Sequence, residues 1–127
     1  MHTKLLMAAS AIVMGVLGIS ASFLPHEILL FFGVSSAGFA PLVIQVLGAL
    51  YIAFAMINWM TKANVIGGIY GRPLAMGNGI HFSIGALALV KGLVAGPVSG
   101  ALAVASGVYA VFAIWFLLAL FRHPANK

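Results

Sequence analysis

Few side chains in this sequence can do chemistry, and most of those that can fall into two groups. Asn58, Asn78 and His81 lie toward the same end of two apolar stretches, and Tyr70 and Arg72 sit in the connection placed to lie over them. Asn78 and His81 are three residues apart, which makes them neighbours on one face of a helix. Amide and imidazole groups are expensive at membrane depth, so this group is a candidate ligand-binding or proton-handling site. His81 is its one side chain whose charge changes near neutral pH. The competing expectation is structural: Asn and His in spans join helices by hydrogen bonds worth about 0.6 to 2 kcal/mol each, and nothing else ionisable lies at that depth to form a relay. The second group is Glu27, His26, Gln45 and Lys91. Glu27 is the sole acid of the chain. It is either a proton or cation site or one half of an interfacial ion pair with a snorkelling Lys91.

Much other chemistry is excluded. The chain has no cysteine, which removes disulfides and thiol catalysis, and a single acid rules out a carboxylate dyad or a metal site needing several acids. Histidines occur at positions 2, 26, 81 and 123, split among the two termini, a loop and a span, so no metal site is expected. A haem would have His81 alone as an axial ligand at depth, and no cofactor is expected. The run Gly67-Gly68-Ile69-Tyr70-Gly71-Arg72 has neither the glycine spacing nor the preceding strand of a phosphate or dinucleotide loop. Trp59, Trp115, Tyr70 and several Phe read as interface anchors or lipid-facing residues, and the scattered Met as packing residues.

The elements that must position these groups follow from composition. Of 127 residues 64% are hydrophobic and 6% charged, which belongs in lipid. A span needs roughly 20 apolar residues to cross about 30 Å of hydrocarbon, so the chain holds four and little else. They run from about Leu5 to Leu24, Pro41 to Met60, Pro73 to Leu93 and Gly100 to Phe121, bounded by Pro25, the Ala95-Gly96-Pro97 stretch and Arg122. The result is one membrane domain over residues 1–127, an all-α four-helix bundle. The first apolar run is longer than a signal-peptide core, so it is expected to be a retained span.

Orientation follows from the basic residues, because they resist translocation. Lys4, Lys62, Arg72, Arg122 and Lys127 fall on one side and Lys91 on the other, which puts both termini in the cytoplasm of a bacterial inner membrane. The net charge of +5 is thereby explained by topology and anionic lipid, with no nucleic-acid partner. The outer segment His26 to Gly33 is too apolar for a solvated loop and too short to span. It reads as a short interfacial or partly re-entrant helix ended by Gly33 and Ser35-Ser36-Ala37-Gly38.

Small residues recur at helical spacing: Ala8, Ala11, Gly15, Gly18 and Ser22 in the first span, Gly85, Ala88 and Gly92 in the third, Gly100, Ala103, Gly107 and Ala110 in the fourth. Such stripes predict close helix packing, within the chain, in a homo-oligomer or against other membrane subunits. Tyr51-Ile52-Ala53-Phe54-Ala55 is echoed by Tyr109-Ala110-Val111-Phe112-Ala113, as a duplicated helical hairpin would leave it.

The segments Gly48-Ala49-Leu50-Tyr51-Ile52-Ala53-Phe54-Ala55 and Gly77-Asn78-Gly79-Ile80-His81-Phe82 carry a family resemblance. So does a first span that ends in a Pro-containing outer loop with a short apolar helix. In this pattern, over most of its length, the chain resembles the DoxX-like small four-helix integral membrane proteins. The resemblance implies a scaffold class, some of whose members look like accessory subunits of membrane oxidoreductases, and it carries over no catalytic residue. Small multidrug exporters fit less well, because the first span lacks their acid, and the signatures of fluoride channels are unmatched. The leading expectation is a non-enzymatic accessory or binding subunit that packs against a larger membrane complex or a hydrophobic ligand. The alternative is a small transporter or channel for protons or a small solute, and an enzyme ranks third.

Overall fold

The computed structural model describes residues 3–63, 69, 71–97 and 99–122. Their secondary structure is helical, with no strand among them: α1 is Thr3–Phe23, α2 Pro25–Phe31, α3 Ala40–Met60, α4 Gly71–Ala95 and α5 Gly100–Arg122. All but α2 are long and apolar enough to cross a membrane, which marks the chain as an integral membrane protein.

Prolines set three of the boundaries. Leu24 leaves helical geometry at φ −127° and ψ 47°, the restriction expected of a residue before proline, and Pro25 then opens α2 one residue earlier than expected. The joint is a kink and not an open loop, since the Leu24 amide still donates to the Ser20 carbonyl at 2.7 Å and the Leu24 carbonyl accepts from Ile28 at 3.1 Å. Pro41 is the second residue of α3 and Pro73 the third of α4, both inside the first turn, where a missing N–H breaks no intrahelical bond. The third span therefore starts at Gly71, two residues before the proline expected to open it.

Glycine ends α2. Gly33 has φ +72°, a conformation that suits a residue without Cβ. Its amide donates to the Leu30 carbonyl at 3.0 Å and that of Val34 to the Leu29 carbonyl at 2.8 Å, the paired bonds of a Schellman cap. Gly38, at φ +70°, turns the chain again just before α3.

The chain forms two compact units, Met7–Lys62 and Met1–Leu6 with Ala63–Lys127. In the first unit α1 and α3 run antiparallel at backbone contact. A Cβ placed on Gly18 would stand 2.8 Å from the Ile52 amide nitrogen, and one on Gly48 2.8 Å from that of Ser22. Gly15 faces the Ala55 Cβ. The expected small face of α1 is thus a packing face, because approach this close is how membrane helices gain dispersion contact where burial supplies no drive.

The second unit packs α4 on α5 by the opposite device. Small residues of α4 receive aromatic rings of α5. The buried positions of α4 are Gly71, Ala75, Asn78, Gly79, Phe82 and Ala86, and those of α5 include Ser106, Tyr109, Phe112, Phe116 and Leu120, each series at helical period. Phe82 stacks on Phe112 and Phe116 at centroid separations of 5.0 and 5.7 Å and meets Tyr109 edge-on at 5.1 Å. Ala103 and Gly107 of the α5 stripe are exposed, as are Ala88 and Gly92 of α4, so these small residues do not serve the α4–α5 contact, and Phe82, Phe112 and Phe116 are core residues and not among the Phe that face lipid. Ring area decided the face: an aromatic side chain buries more surface than a glycine stripe can offer, and α4 supplies the gaps to hold it.

Candidate functional site

The members of the inner polar group are divided between the two units. Asn58 lies in the first and Asn78 and His81 in the second. Arg72 is an exposed residue in the first turn of α4. Tyr70 lies outside the described residues, as do Gly67, Gly68, His2, His123 and Lys127.

In the first unit Asn58 is fully buried and its Nδ2 donates to Ser10 Oγ at 3.0 Å, while the Ser10 hydroxyl donates to the Met7 carbonyl at 2.9 Å. This chain of bonds cross-links α3 to α1 in a core from which water is excluded, where an amide needs a partner. In the second unit Asn78, also fully buried, donates from Nδ2 to the Leu74 carbonyl one turn back in its own helix at 2.9 Å. His81 Nε2 stands 3.1 Å from the Tyr109 hydroxyl, and which of the two donates depends on the imidazole tautomer. The Tyr109 ring reaches this position through a notch at Gly85, where an added Cβ would come 2.6 Å from Tyr109 Cδ2. His81 also packs edge-on against Phe82, so one imidazole, one phenol and one phenyl ring form a partly buried cluster between α4 and α5.

Neither Ser10 nor Tyr109 stood out in the sequence. Serine is ordinary in membrane spans, and Tyr109 was visible only as part of the repeated pentapeptide. Gly85 did carry a signal, because a glycine within a helix asks for a packing reason.

The outer polar residues are also divided. His26 and Glu27 are exposed on α2 and Gln45 is exposed on α3, whereas Lys91 is exposed on α4 in the other unit. Lys62 follows α3 and folds back on it: its Nζ donates to the Trp59 carbonyl at 3.1 Å and lies 3.8 Å from the centre of the Trp59 ring. A cation over an indole at a helix C-terminus is favoured both by the ring and by the unpaired carbonyls of the last turn. Among the described residues no three of His, Cys, Asp and Glu gather as metal ligands.

A groove of about 240 Å³ runs along the α4–α5 pair, lined by Met76, Gly79, Ile80 and Ile84 of α4 and Leu117 and Leu120 of α5. Ser83 also lines it, and its buried hydroxyl has no hydrogen-bond partner among the described residues.

Comparison with protein-family models, with curated proteins and with solved structures returns no match to this chain.

Proposed function

We propose that this protein is an accessory or binding subunit of a membrane assembly, packing against a larger complex, a second copy or a hydrophobic ligand. The α4–α5 groove carries the reading: its lining is apolar apart from one buried hydroxyl, on Ser83, that lacks a partner among the described residues. A serine hydroxyl at membrane depth is suited to cross-link to a neighbouring helix or to meet the single polar group of a lipid-like molecule. The buried amides Asn58 and Asn78 add support by serving contacts within the chain. The orientation that goes with this reading has both termini cytoplasmic in a bacterial inner membrane, with α2 in the first outer connection at the interface. The excess of Lys and Arg at the termini and the central connection supports it. A DoxX-like affiliation is consistent with the same arrangement.

The test is purification in gentle detergent, with mass spectrometry of both proteins and small molecules. The wild type should carry a defined partner or lipid-like molecule that is lost from Gly79→Leu, a substitution that fills the groove. Recovery of a bare, monodisperse wild-type monomer overturns the proposal.

One observation favours a second reading. The His81–Tyr109 pair sets a titratable imidazole against a phenol between two spanning helices, as a small proton or solute transporter would need. Proton or solute flux in liposomes that is lost in His81→Ala would support it, and flux unchanged by that substitution would eliminate it.

A further inference from the structure

The floor of the α4–α5 groove follows one stripe of α4. Arg72, Met76, Gly79 and Ser83 are spaced by 4, 3 and 4 residues, which keeps them on one face of the helix. Met76, Gly79 and Ser83 line the groove, and Arg72 stands exposed in line with them, one turn beyond its end. The basic residues of α4 fix its depth. Arg72 and Lys91 are both exposed and 19 residues apart, a rise of about 28 Å against about 30 Å of hydrocarbon. Each therefore reaches the headgroups at its own face of the bilayer, and Ser83, 11 residues on from Arg72, lies about 16 Å deeper, near the midplane.

The stripe thus carries a cation at the interface and a buried hydroxyl at mid-depth. The Ser83 Oγ has no hydrogen-bond partner among the described residues. For Arg72 the chain offers little: it has one acidic side chain for six Lys and Arg, and none in the first turn of α4. That acid, Glu27, lies in α2, and the crossing of α3 separates it from Arg72 along the chain. A second copy in the same orientation repeats the mismatch. A lipid headgroup answers Arg72, but an acyl chain brings nothing to hydrogen-bond at the level of Ser83. A helix answers both, because side chains 11 residues apart on it return to within about 20° of one face and rise by the same 16 Å or so. Gly79, between the two levels, has no side chain to block a ridge of side chains from entering.

We infer that the groove seats a membrane-spanning helix of another protein, with an Asp or Glu against Arg72 and, 11 residues away on the same face, a Ser, Thr, Asn or Gln against Ser83. The inference rests on the accessory reading above and names the chemistry of the partner.

A library of single-span helices, randomised among Leu, Ala, Ser, Asn, Gln, Glu and Lys, is screened in a bacterial inner membrane for pairing with the full chain through a split reporter. Recovered helices should carry Glu near one end and Ser, Asn or Gln 11 residues deeper, with Lys depleted at the first position. Arg72→Gln should abolish the choice of Glu. Ser83→Ala should abolish the choice at the deeper position and weaken pairing about 3- to 18-fold. Recovered helices with neither residue, or a selection unchanged by both substitutions, overturn the inference. If Arg72→Gln fails to insert, Ser83→Ala alone decides it. Recovery of no helix overturns it as well. Native mass spectrometry that then finds phosphatidylglycerol retained by the wild type and lost from Gly79→Leu assigns the groove to lipid, and self-association lost from that variant assigns it to a second copy. In both of those outcomes the accessory or binding role stands, whereas a bare monomer that selects no helix removes both.

Discussion

At Gly85 a missing side chain admits the Tyr109 ring, since a Cβ there would stand 2.5 Å from Tyr109 Cε2. Gly85→Ala should expel that ring and part Tyr109 from His81, an overpacking change of a kind that costs about 1–3 kcal/mol. Gly92→Ala is its control, because nothing lies within 4 Å of the added carbon, and a surface change of that kind stays within about 0.5 kcal/mol. Denaturation in mixed micelles followed by circular dichroism compares them, and equal losses would dissolve the notch. Asn58 and Ser10 call for a double-mutant cycle with alanine. The coupling should be about 0.6 kcal/mol and not above about 1.7, the range for hydrogen bonds between membrane helices. The sequence marked Asn58 and His81 as the costly groups, because polarity at depth is visible in a string of apolar letters. It did not mark Ser10 or Tyr109, because a partner is defined by helix register across the chain, which spacing within one helix does not contain.

For whole helices, lengths and ends were legible and faces were not. Pro25, Pro41 and Pro73 announced where helices begin, to within two residues, and Gly33 announced where α2 stops. The small-residue stripe identified the packing face of α1, whereas on α5 the face that meets α4 is the one where aromatic rings outweigh glycines. With apolar residues on all sides of a span, periodicity alone cannot say which side meets protein. The α1–α3 contact gives a sharp test of the stripe that holds. Gly18→Ala should force the helices apart, because the new carbon meets the Ile52 backbone and not a flexible side-chain tip. Gly15→Ala should be tolerated, because its Cβ would sit 3.6 Å from the Ala55 Cβ, an ordinary contact. Stability of the two variants in a denaturing-detergent titration checks the contrast, and a Gly15→Ala loss as large as that of Gly18→Ala would refute it.

For the molecule as a whole, four membrane-length helices were readable from composition, and the division into two compact units was not. Its one trace is the repeated pentapeptide: Tyr51–Ala55 falls in α3 and Tyr109–Ala113 in α5, the last membrane-length helix of each unit. Orientation rests on charge, and sided labelling can read it. In intact cells an impermeant maleimide should modify Ser36→Cys, in the connection before α3, and spare Ala63→Cys, which should react only after the membrane is opened. The reverse pattern would invert the topology.

The pairing of α4 with α5 also bears on how the chain is made. α4 has the lowest mean hydropathy of the four long helices and carries Arg72, Asn78, His81 and Lys91. The hydroxyl that meets His81 comes from α5, which leaves the ribosome later. During synthesis α4 therefore reaches the translocon before that contact exists, and its polar groups weigh against its entering lipid alone. The two helices should be released into the bilayer together, as a preassembled hairpin. A chain truncated after Ala95 should then integrate α4 poorly in a glycosylation-mapping assay, and restoring residues through Arg122 should rescue it.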